Sequence, residues 1–233
     1  MTSSRPIGSD AGVVHDACCA ESRLAGSRSL PRDAAWRRRA RWAWCLAWLS
    51  MTAMLAEGVV GLWQGLAVGS IALTGWALGS LPEALASAMV AWRFSGSRTL
   101  SETAERRAQH GVALSFWLAA PYIAAESLHH LFAEHHAATS VIGMALSAAS
   151  LVLMPILGRA KHVLAVRLGS AATAGEGTQN YLCGAQAAAV LVGLAVTATW
   201  PGFWWFDPVI GLGIAAVAIW QGVKAWRGED CGC

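Results

Sequence analysis

Charged residues are scarce in this chain: Lys, Arg, Asp and Glu make up 13% of its 233 residues, whereas soluble domains contain about 25%. Because 55% of the residues are hydrophobic, too few polar side chains remain to cover a water-soluble globule. No basic patch is interleaved with aromatic residues, which argues against a nucleic acid as a partner. The composition therefore predicts an integral membrane protein whose main partner is the lipid bilayer.

The N-terminal segment also lacks the apolar stretch of a secretory signal peptide. Its content of Gly, Ser, Pro and Arg predicts a disordered cytosolic tail at residues 1–35. The six cysteines are scattered over both tails and two apolar segments, which is not the spacing of a disulfide framework. Cys18-Cys19 and Cys231-Gly232-Cys233, the latter in a short cytosolic tail at residues 229–233, are candidates for capturing soft metals.

Six apolar runs fill residues 36–228, and each is close to the roughly 20 residues that a membrane crossing needs. Ala and Leu dominate these runs, which favours helix, and a helix satisfies its own backbone hydrogen bonds in lipid. The predicted spans are Trp42–Trp63, Val68–Trp92, Gly111–Ala133, Ser140–Leu157, Ala171–Thr199 and Asp207–Trp226. We therefore predict an all-α membrane protein built as a six-transmembrane-helix bundle.

Basic residues are absent from three of the predicted loops. All 17 Lys and Arg residues lie in the N-terminal tail, in the loops after the second and fourth spans, or at the C-terminal end. By the positive-inside rule, both termini are predicted to be cytoplasmic. The expected location is the cell (inner) membrane.

Ionisable side chains inside spans indicate where function lies, because each costs roughly 2.5–3.5 kcal/mol at the bilayer centre. Glu83 is predicted about 13 Å from the cytoplasmic end of the second span, and Gln179 and Cys183 about 12 and 18 Å along the fifth. If these two spans are neighbours, the three side chains could hold a divalent transition metal. The alternative is structural: Gln179 hydrogen-bonds a neighbouring helix, and Cys183 is a small buried packing residue.

A second polar group is predicted on the outer side, where it forms either an acidic, imidazole-rich mouth that collects cations or an interfacial polar rim. Its members are Glu57, Glu126, His129, His130, Glu134, His135 and His136. Glu126 and His129 also have the spacing of half a di-iron site, but no second copy of that motif lies inside a span. A membrane-embedded metalloenzyme is therefore the weaker hypothesis.

Several segments resemble the transmembrane domain of the cation diffusion facilitator family, in the right order and at the right spacing. The resemblance covers residues 36–228, without the family's usual cytoplasmic C-terminal domain. The matching segments are residues 57–62 (EGVVGL), 69–73 (GSIAL), 76–83 (WALGSLPE), 168–171 (LGSA), 176–183 (EGTQNYLC) and 205–212 (WFDPVIGL).

The resemblance implies a transporter, not an enzyme, that exports zinc or a similar divalent ion in exchange for protons by alternating access. It implies no tightly bound cofactor, since the metal is the cargo. The family's four ligand positions carry Gly79, Glu83, Gln179 and Cys183 here, and Glu176 lies one turn earlier. Gly79 has no side chain to donate, so the site between helices two and five is degenerate. The alternative is a non-transporting metal sensor or partner subunit of a full transporter.

The resemblance further implies a homodimer. With the cytoplasmic domain missing, small-residue helix faces are the expected contact between protomers. Gly58, Gly61 and Gly65 form such a face in the first span.

Overall fold

The computed structural model describes residues 34–93, 102–168 and 170–227, which form six α-helices, one short 3-10 turn and no strand. The helices are α1 (Ala34–Val68), α2 (Ile71–Arg93), α3 (Glu102–Phe132), α4 (Val141–Leu168), α5 (Ala171–Thr199) and α6 (Phe206–Arg227). The predicted all-α bundle is confirmed. Nearly all of the predicted N-terminal tail and the whole C-terminal tail, with both tail cysteine pairs, lie outside the described residues.

Successive helices run in alternating directions, so the bundle has two different ends. The end that carries the α1–α2, α3–α4 and α5–α6 connections is called the distal end below. Ala138 N–H, in the α3–α4 connection, donates to the carbonyl of Val68 at the end of α1 over 2.8 Å, which ties two of these connections together. The opposite, proximal end carries the start of α1 and the end of α6.

A glycine and a serine make the sharp turn from α1 into α2. Gly69 has a φ of +68°, a left-handed conformation that glycine adopts without strain. Ser70 Oγ then accepts a hydrogen bond from Leu73 N–H at 3.1 Å, so that Ser70 caps α2. Asp207 of α6 lies against the same helix start, with Oδ2 accepting from Ile71 N–H at 2.8 Å.

The glycines of α1 face inward, which contradicts the expectation that they contact a second protomer. A Cβ at Gly61 would lie 3.0 Å from the side chain of Ala77, and one at Gly65 would lie 2.7 Å from the backbone nitrogen of Thr74. Both glycines therefore allow α1 and α2 to approach closely within one chain. The sequence identifies these small residues, but it does not show whether they face a neighbouring helix or a second protomer.

Five of the described helices are long and apolar enough to cross a membrane: Ala34–Val68, His110–Phe132, Val141–Leu168, Thr173–Thr199 and Phe206–Arg227. With 23 residues, α2 is also long enough, at about 34 Å. It carries Pro82, Glu83 and several hydroxyl groups among its apolar residues. Since α2 packs against α1, α3, α5 and α6, most of its surface meets protein, so its polar residues need not face lipid.

Three helices are longer at the proximal end than the predicted spans. α1 begins at Ala34, α3 at Glu102, and α4 continues to Leu168, because a helix can extend beyond the apolar stretch that lies in the hydrocarbon. The assignment of Lys161 to a loop is therefore wrong. Lys161 lies in α4 and is 1% exposed.

Candidate metal site

Glu83 of α2 and Cys183 of α5 lie side by side in the interior of the bundle. Their side chains interact directly, and the two residues are 2% and 1% exposed. The Trp76 indole lies beside the same thiol. The sequence predicted a shared site only if α2 and α5 are neighbours, and they are. The carboxylate of Glu83 and the thiol of Cys183 therefore lie at the same level of the bundle.

Glu57 of α1 joins this pair, contrary to its predicted place in the outer mouth. Cys183 Sγ lies 3.7 Å from Glu57 Oε2 and donates to it, and Ser150 of α4 donates to Glu57 Oε1. The Glu57–Cys183–Glu83 cluster thus draws on α1, α2 and α5. Two buried carboxylates flank one thiol, an arrangement that favours a positive charge between them.

Glu176 forms an ion pair that the sequence did not indicate. Lys161 Nζ lies 2.5 Å from Glu176 Oε1 and 3.2 Å from Asn180 Oδ1. Asn180 Nδ2 in turn lies 3.5 Å from Ser50 Oγ of α1. Glu176 is seven residues before Cys183, which places it on the same face of α5, about 10 Å nearer the proximal end.

The remaining predicted ligand positions contribute less to the cluster. Gln179 is half-buried, and within the described chain its Nε2 has no hydrogen-bond partner. Beside Gly79, the nearest atom to a Cβ would be Gln186 Oε1 at 4.0 Å. The structure therefore brings Glu83 and Cys183 together, places Glu176 in an ion pair, and leaves open space at Gly79.

In the parts of the chain that the structure describes, no three His, Cys, Asp or Glu side chains are close enough together to enclose a metal ion. The Cys183–Glu57 separation of 3.7 Å is that of a weak hydrogen bond to sulfur. Ligation by this cluster would require its side chains to close around the ion.

The predicted outer mouth is partly assembled at the distal end. The ring centroids of His130 and His135 are 4.3 Å apart, with the rings tilted by 37°, and those of His129 and His130 are 6.2 Å apart. Glu126 and Asp207 are near enough to His130 to interact with it electrostatically. A role in collecting cations stays a prediction.

The spacing of residues along α1 and α4 could have indicated that Glu57 and Lys161 face the interior. The buried positions of α4 recur every three or four residues and continue past the apolar run; they are Gly143, Ser147, Ser150, Met154, Leu157, Gly158, Lys161, Ala165 and Leu168. In α1, Ser50, Glu57 and Gln64 are seven residues apart and all buried. Such spacing places residues on one face of a helix, so Lys161 and Glu57 could have been assigned to the interior.

Most of the chain matches the model of a known family. Residues 47–227 match the family model of the cation efflux transmembrane domain. The chain belongs to the cation diffusion facilitator family. Members of this family are cation transporters and not enzymes, and the match extends from Ala47 within α1 to Arg227 at the end of α6.

Proposed function

We propose that this protein exports a divalent transition metal, zinc first among them, in exchange for protons, from a site between α2 and α5. The observation that carries this proposal is the contact between Glu83 and Cys183 at one buried level. Within the described chain, Glu83 Oε2 has no hydrogen-bond partner. This oxygen is therefore free to accept a bond from a ligand.

The donor types favour zinc over harder ions. A thiolate ligand selects soft or borderline metals such as zinc, copper and cadmium, whereas magnesium and manganese prefer oxygen alone. We assign Glu83 and Cys183 as the principal ligands and add Glu57, which contacts Cys183. Gln179 is assigned as a weaker, neutral ligand, and Glu176, which is paired with Lys161 in the structure, as an accessory carboxylate near the site.

Proton exchange follows from the chemistry of these ligands. Carboxylate and thiol groups must lose their protons to bind a metal, so metal binding releases protons and protons returning to the site release the metal. We assign the proximal end to the cytoplasm, because Arg159 and Arg167 of α4 and Lys224 and Arg227 of α6 lie near it. In this orientation zinc is taken up at the proximal end and released at the distal end.

Zinc flux in reconstituted vesicles tests the proposal. The purified protein is placed in liposomes that contain a zinc-sensitive dye, and zinc entry is followed with and without a pH gradient. Glu83→Gln and Cys183→Ser should each reduce the flux at least about tenfold, since each removes a ligand but keeps the side chain's size. Cys45→Ser is the matched control, because Cys45 is also a free cysteine but is exposed. Normal flux in both site variants would refute the residue assignment.

One observation favours the alternative of a sensor or partner subunit. Among the described residues, the nearest atom to a Cβ at Gly79 would be the Gln186 oxygen at 4.0 Å, so this ligand position supplies no side chain, whereas zinc in proteins usually takes four ligands. Saturable zinc binding without flux in the same vesicles would support the sensor or subunit. We also propose a homodimer, whose interface cannot use the buried glycine face of α1.

A further inference from the structure

Lys161 is a fully enclosed cation within a metal transporter fold. It is 1% exposed, and its ammonium contacts Glu176 at 2.5 Å and Asn180 at 3.2 Å. An ammonium is rarely buried, because removal from water is costly unless the charge is paired. The ion pair therefore needs an explanation beyond packing.

The ion pair lies next to the Glu57–Cys183–Glu83 cluster. Glu176 and Cys183 share one face of α5, two turns apart. Lys161 is also near enough to Glu83 to interact with it electrostatically. The ammonium thus lies between the cluster and the proximal end, within reach of carboxylates on both α2 and α5.

The charges of the buried groups indicate how Lys161 affects a metal ion at the cluster. Three buried carboxylates lie in this part of the interior: those of Glu57 and Glu83 beside Cys183, and that of Glu176 about 10 Å nearer the proximal end. Lys161 forms its ion pair with Glu176, and Glu57 and Glu83 form no ion pair among the described residues. A metal ion near Glu83 is attracted by those two carboxylates and repelled by the nearby ammonium.

We propose that Lys161 is a tethered competitor of the transported metal: it occupies Glu176, weakens metal binding at the adjacent cluster and so promotes release. This inference rests on the proposed function, since it assigns a role beside the same site. When Lys161 is removed, Glu176 becomes free to act as a further ligand and the repulsion disappears. The metal then binds more tightly and leaves more slowly.

Zinc binding to the full-length purified protein tests the inference, with zinc salt alone as the probe in a competition titration. Lys161→Met should lower the zinc Kd by on the order of tenfold or more. Lys161→Arg keeps the positive charge and should retain the wild-type Kd. The double variant Lys161→Met with Glu176→Gln should return toward the wild-type Kd, because the freed carboxylate is also gone.

Flux measurements separate this role from a purely structural one. In liposomes, Lys161→Met should lower KM and also lower kcat, because tight binding slows release. A loss of packing would reduce kcat without lowering KM. Lys161→Met variants that remain monodisperse and bind zinc no more tightly than the wild type would overturn the inference.

If Lys161→Met does not fold, the variant Glu176→Gln tests the same inference. Glu176→Gln leaves the ammonium without its partner, and the freed charge should weaken zinc binding at least about tenfold. An unchanged Kd in Glu176→Gln would then refute the competition. If neither the wild type nor any variant binds zinc, the proposed function fails as well. If the wild type binds zinc, Glu83→Gln does not, and Lys161→Met matches the wild type, only the role of Lys161 fails.

Discussion

Replacing Asp207 by alanine should destabilise the bundle without removing a metal ligand. Asp207 is 1% exposed and lies in the first turn of α6. Its Oδ1 accepts from Ser70 Oγ at 2.5 Å, and its Oδ2 accepts from the backbone N–H groups of Ile71 and Ala72 at 2.8 and 3.3 Å. One carboxylate thus joins α6 to the start of α2 and satisfies two amides that no residue of α2 can satisfy.

The size of the effect follows from these contacts. Losing an N-cap acceptor costs about 0.5–2 kcal/mol, and leaving a buried donor unsatisfied costs about 1–3 kcal/mol. Ser70 Oγ still accepts from Leu73 N–H at 3.1 Å, so part of the cap survives. Because the three contacts share one side chain, their energies do not add, and we expect Asp207→Ala to lower the free energy of unfolding by about 2–4 kcal/mol.

Denaturant titration of the purified protein in detergent micelles measures this change. Asp207→Asn keeps one acceptor oxygen and should cost about half as much. The zinc Kd should change little, because Glu83 lies twelve residues along α2 from Ile71, about 18 Å away. An Asp207→Ala variant within about 0.5 kcal/mol of the wild type would refute the argument, since that is the range of surface substitutions without a structural role.

Two substitutions at the cluster test its composition. Gly79→His should raise zinc affinity by on the order of tenfold, because zinc favours four ligands and the space beside Gly79 is open to 4.0 Å; an unchanged Kd in a zinc titration would contradict this. Glu57→Gln keeps an acceptor for Ser150 but removes one negative charge, and it should reduce zinc flux at least about tenfold in liposomes. Wild-type flux in that variant would remove Glu57 from the site.

The helices were predictable where a polar signal marks their ends. The predicted fifth span, Ala171–Thr199, coincides with α5, because Ser170 caps it and accepts from Thr173 N–H. The start of α6 was predicted to within one residue from Asp207-Pro208. The proximal ends of α1, α3 and α4 were not predicted, because hydropathy shows which residues lie in the hydrocarbon and not how far the helix continues beyond it.

The candidate site was only half predictable, for a related reason. Equal depth and helical spacing brought Glu83 and Cys183 together correctly. The depth estimated along the helix placed Glu57 in the outer polar group and not beside Cys183. The rise per residue does not show which helices are neighbours. Lys161 was missed because a basic residue beyond an apolar run normally lies in water, whereas here its ammonium is paired with Glu176 and Asn180 in the interior.

The polar side chains on the two sides of the Glu57–Cys183–Glu83 cluster differ in their charge. On the distal side of Glu57, the polar side chains between α1 and α4 are uncharged: Ser147 is buried, and Ser140 Oγ donates to Gln64 Oε1 at 2.9 Å. Neutral oxygens of this kind hold a transition metal weakly. On the proximal side, Glu176 is a stronger potential ligand that is held back by Lys161. A cation that leaves the Glu57–Cys183–Glu83 cluster toward the distal end therefore meets weaker ligands, so we expect its release to be easier on that side.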